Sequence, residues 1–188
     1  MLATWKPTPL ENIQAWMMGI YTSSRRADGR LIKYWSTITA GYVNNPKGYI
    51  MGGYTSAPTA VIEDLTFATE ASVAIAATLD TAKYSGAGVN SSTKGYIMGG
   101  NTGAATAVIE DLTFVTEASV AIAATLDTAK YGEAGVNSST KGYIMGGYTG
   151  AVTAVIEDLT FATEASVAIT ATLDTAKYVG AGVQSGSI

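Results

Sequence analysis

The phrase KGYIMGGYT begins at Lys47, and near-copies begin at Lys94 and Lys141, so the chain rewrites itself every 47 residues. A period of this length constrains the fold more than any other feature. Each copy must be one supersecondary unit, and stacking against neighbours must bury what a single copy cannot. The units run 47–93, 94–140 and 141–187, and the first two differ at six positions only, among them Tyr54/Asn101 and Ala68/Val115.

Within a unit, KGYIMGGY and AVIEDLTF are rich in β-branched and aromatic residues, with short alternations and glycine punctuation, which predicts strands. In the second, Val61, Glu63, Leu65 and Phe67 fall on one face, with Ala60, Ile62, Asp64 and Thr66 on the other. The stretch ASVAIAATL is ambiguous: its alanines favour helix, while Val73, Ile75, Ala77 and Leu79 fit a strand face better. YSGAGVN reads as a small-residue strand, followed by a hairpin turn NSST. Four short strands per unit is the outline of a propeller blade.

LDTAKYSGAGVNSSTKGYIMGG, continuing into VIEDLTFATEASVAI, resembles the kelch repeat over about residues 36–188. Lys83, Lys130 and Lys177 sit where that family carries an arginine. Gly52-Gly53, Gly99-Gly100 and Gly146-Gly147 match its double glycine, and Tyr49, Tyr96 and Tyr143 its tyrosine. The outer-strand tryptophan is missing, with Ser72 or Val73 in its place, so the type is divergent. The resemblance implies an all-β, kelch-like β-propeller with three regular four-stranded blades. The near-identical GY..GGYTG units look most like kelch-type repeats in tail, baseplate and collar proteins of tailed bacteriophages.

The segment before the repeats is irregular. QAWMMGIYT at 14–22 aligns with KGYIMGGYT but lies only 33 residues ahead of Lys47, which marks a degenerate N-terminal blade or docking segment over 1–36. RLIKYWSTITAGYV then supplies the inner strand of the first regular blade. At the other end YVGAGVQS reads as an inner strand with no following blade, so ring closure within or between chains is the expectation. Trp5, Trp16 and Trp35 all precede Lys47, and Trp5 and Trp16 are candidate docking residues.

Composition narrows the chemistry. Without cysteine there is no disulfide framework or thiol nucleophile, and without histidine the commonest general base is absent. The start carries Pro7, Pro9 and Glu11 where a signal peptide needs an apolar core, and no run reaches membrane-span length. Five basic against two acidic residues precede Lys47, so the repeats carry the acidity of a chain whose net charge is −4. Arg25, Arg26 and Arg30 form the one basic cluster, a candidate for an acidic partner, but no basic stripe with stacking aromatics points to nucleic acid.

The carboxylates recur in every unit, and adjacent Glu63 and Asp64 face opposite ways, so they cannot act as a catalytic pair. No Asp-rich calcium loop occurs, GVNSSTK lacks the glycine that a phosphate-binding loop places before its lysine, and no cofactor or metal site is expected. What remains is surface. The varying positions Tyr54, Asn101 and Tyr148 follow the double-glycine turn and are the candidate partner contacts, stacking on sugars or on a protein. The expectation is a non-enzymatic structural or attachment protein of a phage particle, homo-oligomeric and bound to other virion proteins, with a host-surface glycan or protein as ligand. A cellular kelch-type adaptor is the alternative.

Overall fold

A computed structural model of the chain describes residues 21–25, 31–35 and 47–185. The chain forms two compact units, Met1–Val43 and Asn44–Ile188. In the first, β1 (Tyr21–Arg25) pairs antiparallel with β2 (Leu31–Trp35), Tyr21 opposite Trp35 and Arg25 opposite Leu31. The QAWMM stretch, Trp5, Trp16, Arg26 and Arg30 lie outside the described residues, as does the boundary expected at residue 36.

The second unit is all-β in its described residues. Strands β3 (Lys47–Tyr54), β4 (Pro58–Thr66) and β5 (Ala71–Thr78) form a three-stranded sheet in that order. Strands β6 (Ala87–Asn90), β7 (Lys94–Met98), β8 (Thr106–Thr113) and β9 (Ala118–Lys130) form a four-stranded sheet. A second four-stranded sheet consists of β10 (Ala134–Asn137), β11 (Lys141–Met145), β12 (Val155–Thr160) and β13 (Ala165–Thr172). All pairings are antiparallel, and the register repeats from sheet to sheet: Tyr49 faces Asp64, Tyr96 faces Asp111, and Tyr143 faces Asp158. The ASVAIAATL segment is strand: in β5 it pairs antiparallel with β4, Val73 opposite Asp64 and Ala71 opposite Thr66. The NSST turn closes on side-chain chemistry, with Ser91 Oγ accepting the N–H groups of Thr93 and Lys94.

The sheets stand side by side, and burial reports which faces meet. In β4 the alternation is clean, with Ile62 and Asp64 buried and Val61, Glu63 and Leu65 exposed. In β8 both faces are buried, from Ile109 through Leu112, because a sheet covers each side. The core therefore lies between the sheets. One cluster joins Ala87, Val89, Tyr96, Met98 and Ile109 with Ile144 and Leu159 of the next unit; another joins Ile62 and Leu79 with Ile97 and Leu112. The three sheets form an open series, and no ring closes among the described residues.

Two backbone features set the spacing. Gly52, Gly99 and Gly146 have φ of 70°, 67° and 73°, and a Cβ at each would run into the carbonyl of Lys83, Lys130 or Lys177, so only glycine fits the turn. Inner strands also touch: a Cβ on Gly135 would strike the Gly88 carbonyl oxygen, and one on Gly182 the Gly135 carbonyl oxygen. The small-residue strand is thus read correctly from the sequence as the place where units crowd.

Glu70, Glu117 and Glu164 hold the left-handed turn between the outer strands, at φ of 54°, 51° and 52°. An L-residue there costs about 1 kcal/mol relative to glycine. Glu117 and Glu164 offset it by reaching a lysine of the preceding sheet, whereas Glu70 has no such partner among the described residues. Glu70→Gly should therefore raise stability by about 1 kcal/mol in urea unfolding, and Glu117→Gly should gain less, because it gives up its lysine.

Candidate functional site

The ionisable residues come first, since any catalysis would need them. Lys47 bridges Asp64 of its own sheet and Glu117 of the next, both at 2.6 Å, and Tyr49 donates to the same Glu117 oxygen. Lys94 repeats the pattern with Asp111 and Glu164, with Tyr96 donating to Glu164. These hydrogen bonds hold both ammonium groups well above the usual lysine range. Burial, with help from Glu164, pushes the Tyr96 hydroxyl up to about 12. Tyr49 stacks on Phe114 and Tyr96 on Phe161, at ring separations of 5.5 and 5.7 Å, so each lysine sits beside an aromatic seam between sheets.

Deeper in the seam lie two fully buried ion pairs, Lys83 with Glu110 at 2.9 Å and Lys130 with Glu157 at 2.6 Å. The charges meet by proximity and not along an aligned hydrogen bond, and Glu110 Oε1 and Lys130 Nζ have no such bond. The other oxygen of each glutamate accepts the backbone N–H of Asp80 or Asp127, at 2.6 and 2.7 Å. Asp80 and Asp127 in turn accept the N–H of Ala121 and Ala168 in the following sheet. Each seam is thus latched from both sides.

Asp64, Asp80, Glu110, Asp111, Glu117, Asp127, Glu157, Asp158 and Glu164 are therefore spent on ion pairs and hydrogen bonds within and between the sheets. Glu63 and Asp64 do point opposite ways, as the strand alternation requires, with Asp64 buried and Glu63 exposed. Among the described residues no three acidic side chains converge on a metal-sized site. The spacing of about thirty residues that joins Asp80 to Glu110 was present in the sequence as a recurrent pattern, but its meaning depends on stacking.

The candidate contacts lie at the double-glycine end of the sheets. Tyr54 is 62 % exposed and meets Tyr84 edge-on at 5.0 Å. Tyr148 lies between Tyr131 and Tyr178, at 5.5 and 5.9 Å. Asn101 occupies the corresponding place in the middle unit, exchanging backbone hydrogen bonds with Tyr84, and its side chain accepts the N–H of Gly103 in a local turn. The result is a file of tyrosines along one end of the array, interrupted only by Asn101. Sequence reasoning found its variable members and missed Tyr84, Tyr131 and Tyr178. Their signal was the AKY repeated late in each unit, where register brings residue 84 beside 101 and residue 131 beside 148. Arg25 is the last residue of β1, in the other unit.

At the opposite end, a hydroxyl-rich cleft of about 750 Å³ lies between the second and third sheets, lined by Ser91, Ser92, Thr93, Ser139 and Thr140 with the Lys94–Glu164 pair in its wall. Tyr96 and Phe161, stacked on one another, also line it beneath these hydroxyls.

No protein-family model matches the sequence, and comparison with curated proteins finds no match. No helix among the described residues is long and apolar enough to cross a membrane.

Proposed function

We propose that this chain is a non-enzymatic, kelch-type propeller module that serves as a structural or attachment component of a tailed phage particle, with the tyrosine file as its contact for a host-surface glycan. The observation that carries the reading is the file itself: tyrosine rings at regular spacing on the turns of a rigid repeat. Aromatic faces pack on the apolar face of a pyranose and phenol hydroxyls reach its hydroxyls, while the strands beneath fix their spacing. The commitment of Glu110, Glu157, Asp64, Asp111 and Asp158 to latches supports a binding rather than a catalytic role. The kelch resemblance of the repeats supports the propeller, and their near-identity suits a fast-changing attachment surface.

The test has two arms. On an array of bacterial surface glycans the full chain should be retained, and a Tyr54→Ala/Tyr148→Ala double variant should lose at least about tenfold in affinity, its thermal transition kept as a control, with Tyr54 exposed and Tyr148 half-buried between Tyr131 and Tyr178. Antibody to the chain should decorate tailed particles. Retention unchanged by the double variant, or no retention and no decoration, would overturn the reading.

A further inference from the structure

The seams between sheets have two different sides. The leading side of a seam supplies a lysine and tyrosine from the KGYIM strand and an aspartate and lysine from the LDTAK loop; the trailing side supplies the glutamates and phenylalanine that receive them. Among the described residues, the third sheet's leading side is open. There Lys141 pairs with Asp158 alone, and Lys177, whose counterparts Lys83 and Lys130 are wholly buried, is exposed. Among the described residues, the first sheet's trailing side is open as well, with Glu63, Phe67 and Glu70 exposed.

A strand is also left over. The segment Ala181–Gln184 lies on the third sheet as β10 lies on the second. The Val179 N–H donates to Gly132 O as Gly132 N–H does to Ser85 O, and Asn137 N–H donates to the Gln184 side chain as Asn90 N–H does to that of Asn137. Yet no strand among the described residues pairs with it. Meanwhile, among the described residues, β3 has only β4 beside it, and along its other edge runs a cavity of about 650 Å³ lined by Tyr49, Ile50, Met51, Gly88 and Val89.

We propose that these open faces are two halves of one interface, and that a second copy of this chain docks its first sheet against the third sheet of the other, taking Ala181–Gln184 as the inner strand beside β3. The register follows from the seams already formed: Ala181 opposite Met51, Gly182 opposite Ile50 and Val183 opposite Tyr49, as Ala87, Gly88 and Val89 stand opposite Met98, Ile97 and Tyr96. Lys177 then meets Glu63, Lys141 meets Glu70, and Tyr143 stacks on Phe67. Charge selects a second copy over the residues that precede β3. Ser36 stands 47 residues before Lys83, and Gln14 aligns with Lys47, so the repeat pattern carries no lysine at either corresponding position of that segment. Shape agrees, since Val183 repeats Val89, whose side chain fills the gap left by Gly142, while the in-chain alternative AGYV puts the larger Tyr42 in its place. Such a head-to-tail contact is heterologous and yields a ring if the rotation closes, or a filament if it does not. The inference stands apart from the glycan reading and survives its failure.

Sedimentation velocity on the full chain across a concentration series tests it. The wild type should associate. Lys177→Glu and Glu63→Lys, both at exposed positions, should each weaken association by about a hundredfold or more, because each buries like charges against one another. The two changes on one chain should restore it. In a chain free of native cysteine, mixing Val183→Cys with Tyr49→Cys protein should give a mixed covalent dimer under oxidation, which would fix the register. A wild type that stays monomeric, association indifferent to either charge reversal, or no rescue in the double variant would overturn the proposal.

Discussion

Lys130→Met should lower the stability of the repeat unit by about 3–5 kcal/mol, whereas Lys177→Met, the same change one period later, should shift monomer stability by less than about 0.5 kcal/mol. The two lysines occupy equivalent positions in nearly identical sequence. Lys130 is 1 % exposed and lies against a Glu157 that is wholly buried, so its removal leaves a carboxylate in a low-dielectric seam with only the Asp127 N–H to satisfy it. Lys177 faces solvent. Because the seam joins the second and third sheets, the loss should appear as early melting of β10–β13, visible as an added low-temperature transition in calorimetry. A matched double change, Lys130→Met with Glu157→Leu, should recover most of the loss, since replacing both members of a buried pair is close to neutral. Equal effects at positions 130 and 177 would show that the seam draws little from its buried charges.

Glu133→Gln should stabilise the protein at pH 8 by up to about 3 kcal/mol and leave it unchanged at pH 4.5. Glu133 stands where the other units carry Gly86 and Gly180, and its side chain runs into the narrow space between Gly99 and Gly147. Neither of its carboxyl oxygens has a hydrogen-bond partner in another residue. Burial, the largest cause, pushes its carboxyl up to about 7, with Glu157 adding to the rise and its own backbone N–H and Lys130 opposing it. The fold therefore binds a proton that the unfolded chain has already released between the ordinary carboxyl range and neutrality. Stability from this group is fully present below about pH 4.5 and falls as pH rises through 7, after which the whole penalty is in force. Glutamine keeps the shape and cannot ionise, so the difference between variant and parent in urea unfolding should grow across that window and then level off. A difference that is flat with pH would mean that Glu133 reaches solvent.

The legible part of this fold was its grammar. Repetition gave the unit, alternation in AVIEDLTF gave the two faces of β4, and the small residues of the AGVN strands marked where units press together. The seam chemistry was less legible because its partners are about 27, 30, 41 and 70 residues apart, distances that acquire meaning only when one sheet is laid on another. The kelch resemblance placed Lys83, but its pairing with Glu110 becomes visible only once β8 is covered on both faces. The tyrosine file was half legible for the same reason: Tyr54 and Tyr148 stood out because Asn101 differed from them, while Tyr84, Tyr131 and Tyr178 were hidden by being constant. The irregular opening segment, with its shortened copy of the repeat phrase, offered no period from which partners could be assigned.

The inner strands meet through bare glycine, Gly135 over Gly88 and Gly182 over Gly135, and that contact carries no feature peculiar to any one position in the series. A gene written in such interchangeable cassettes can gain or lose one by slippage between copies, and the encoded chain still assembles every joint from matched parts. Copy number is thus the property most easily changed by replication error without loss of folding. Glu133 is the exception that gives one joint an identity: a deletion spanning it would discard a proton-sensitive seam that no other described joint repeats, and a duplication would install a second.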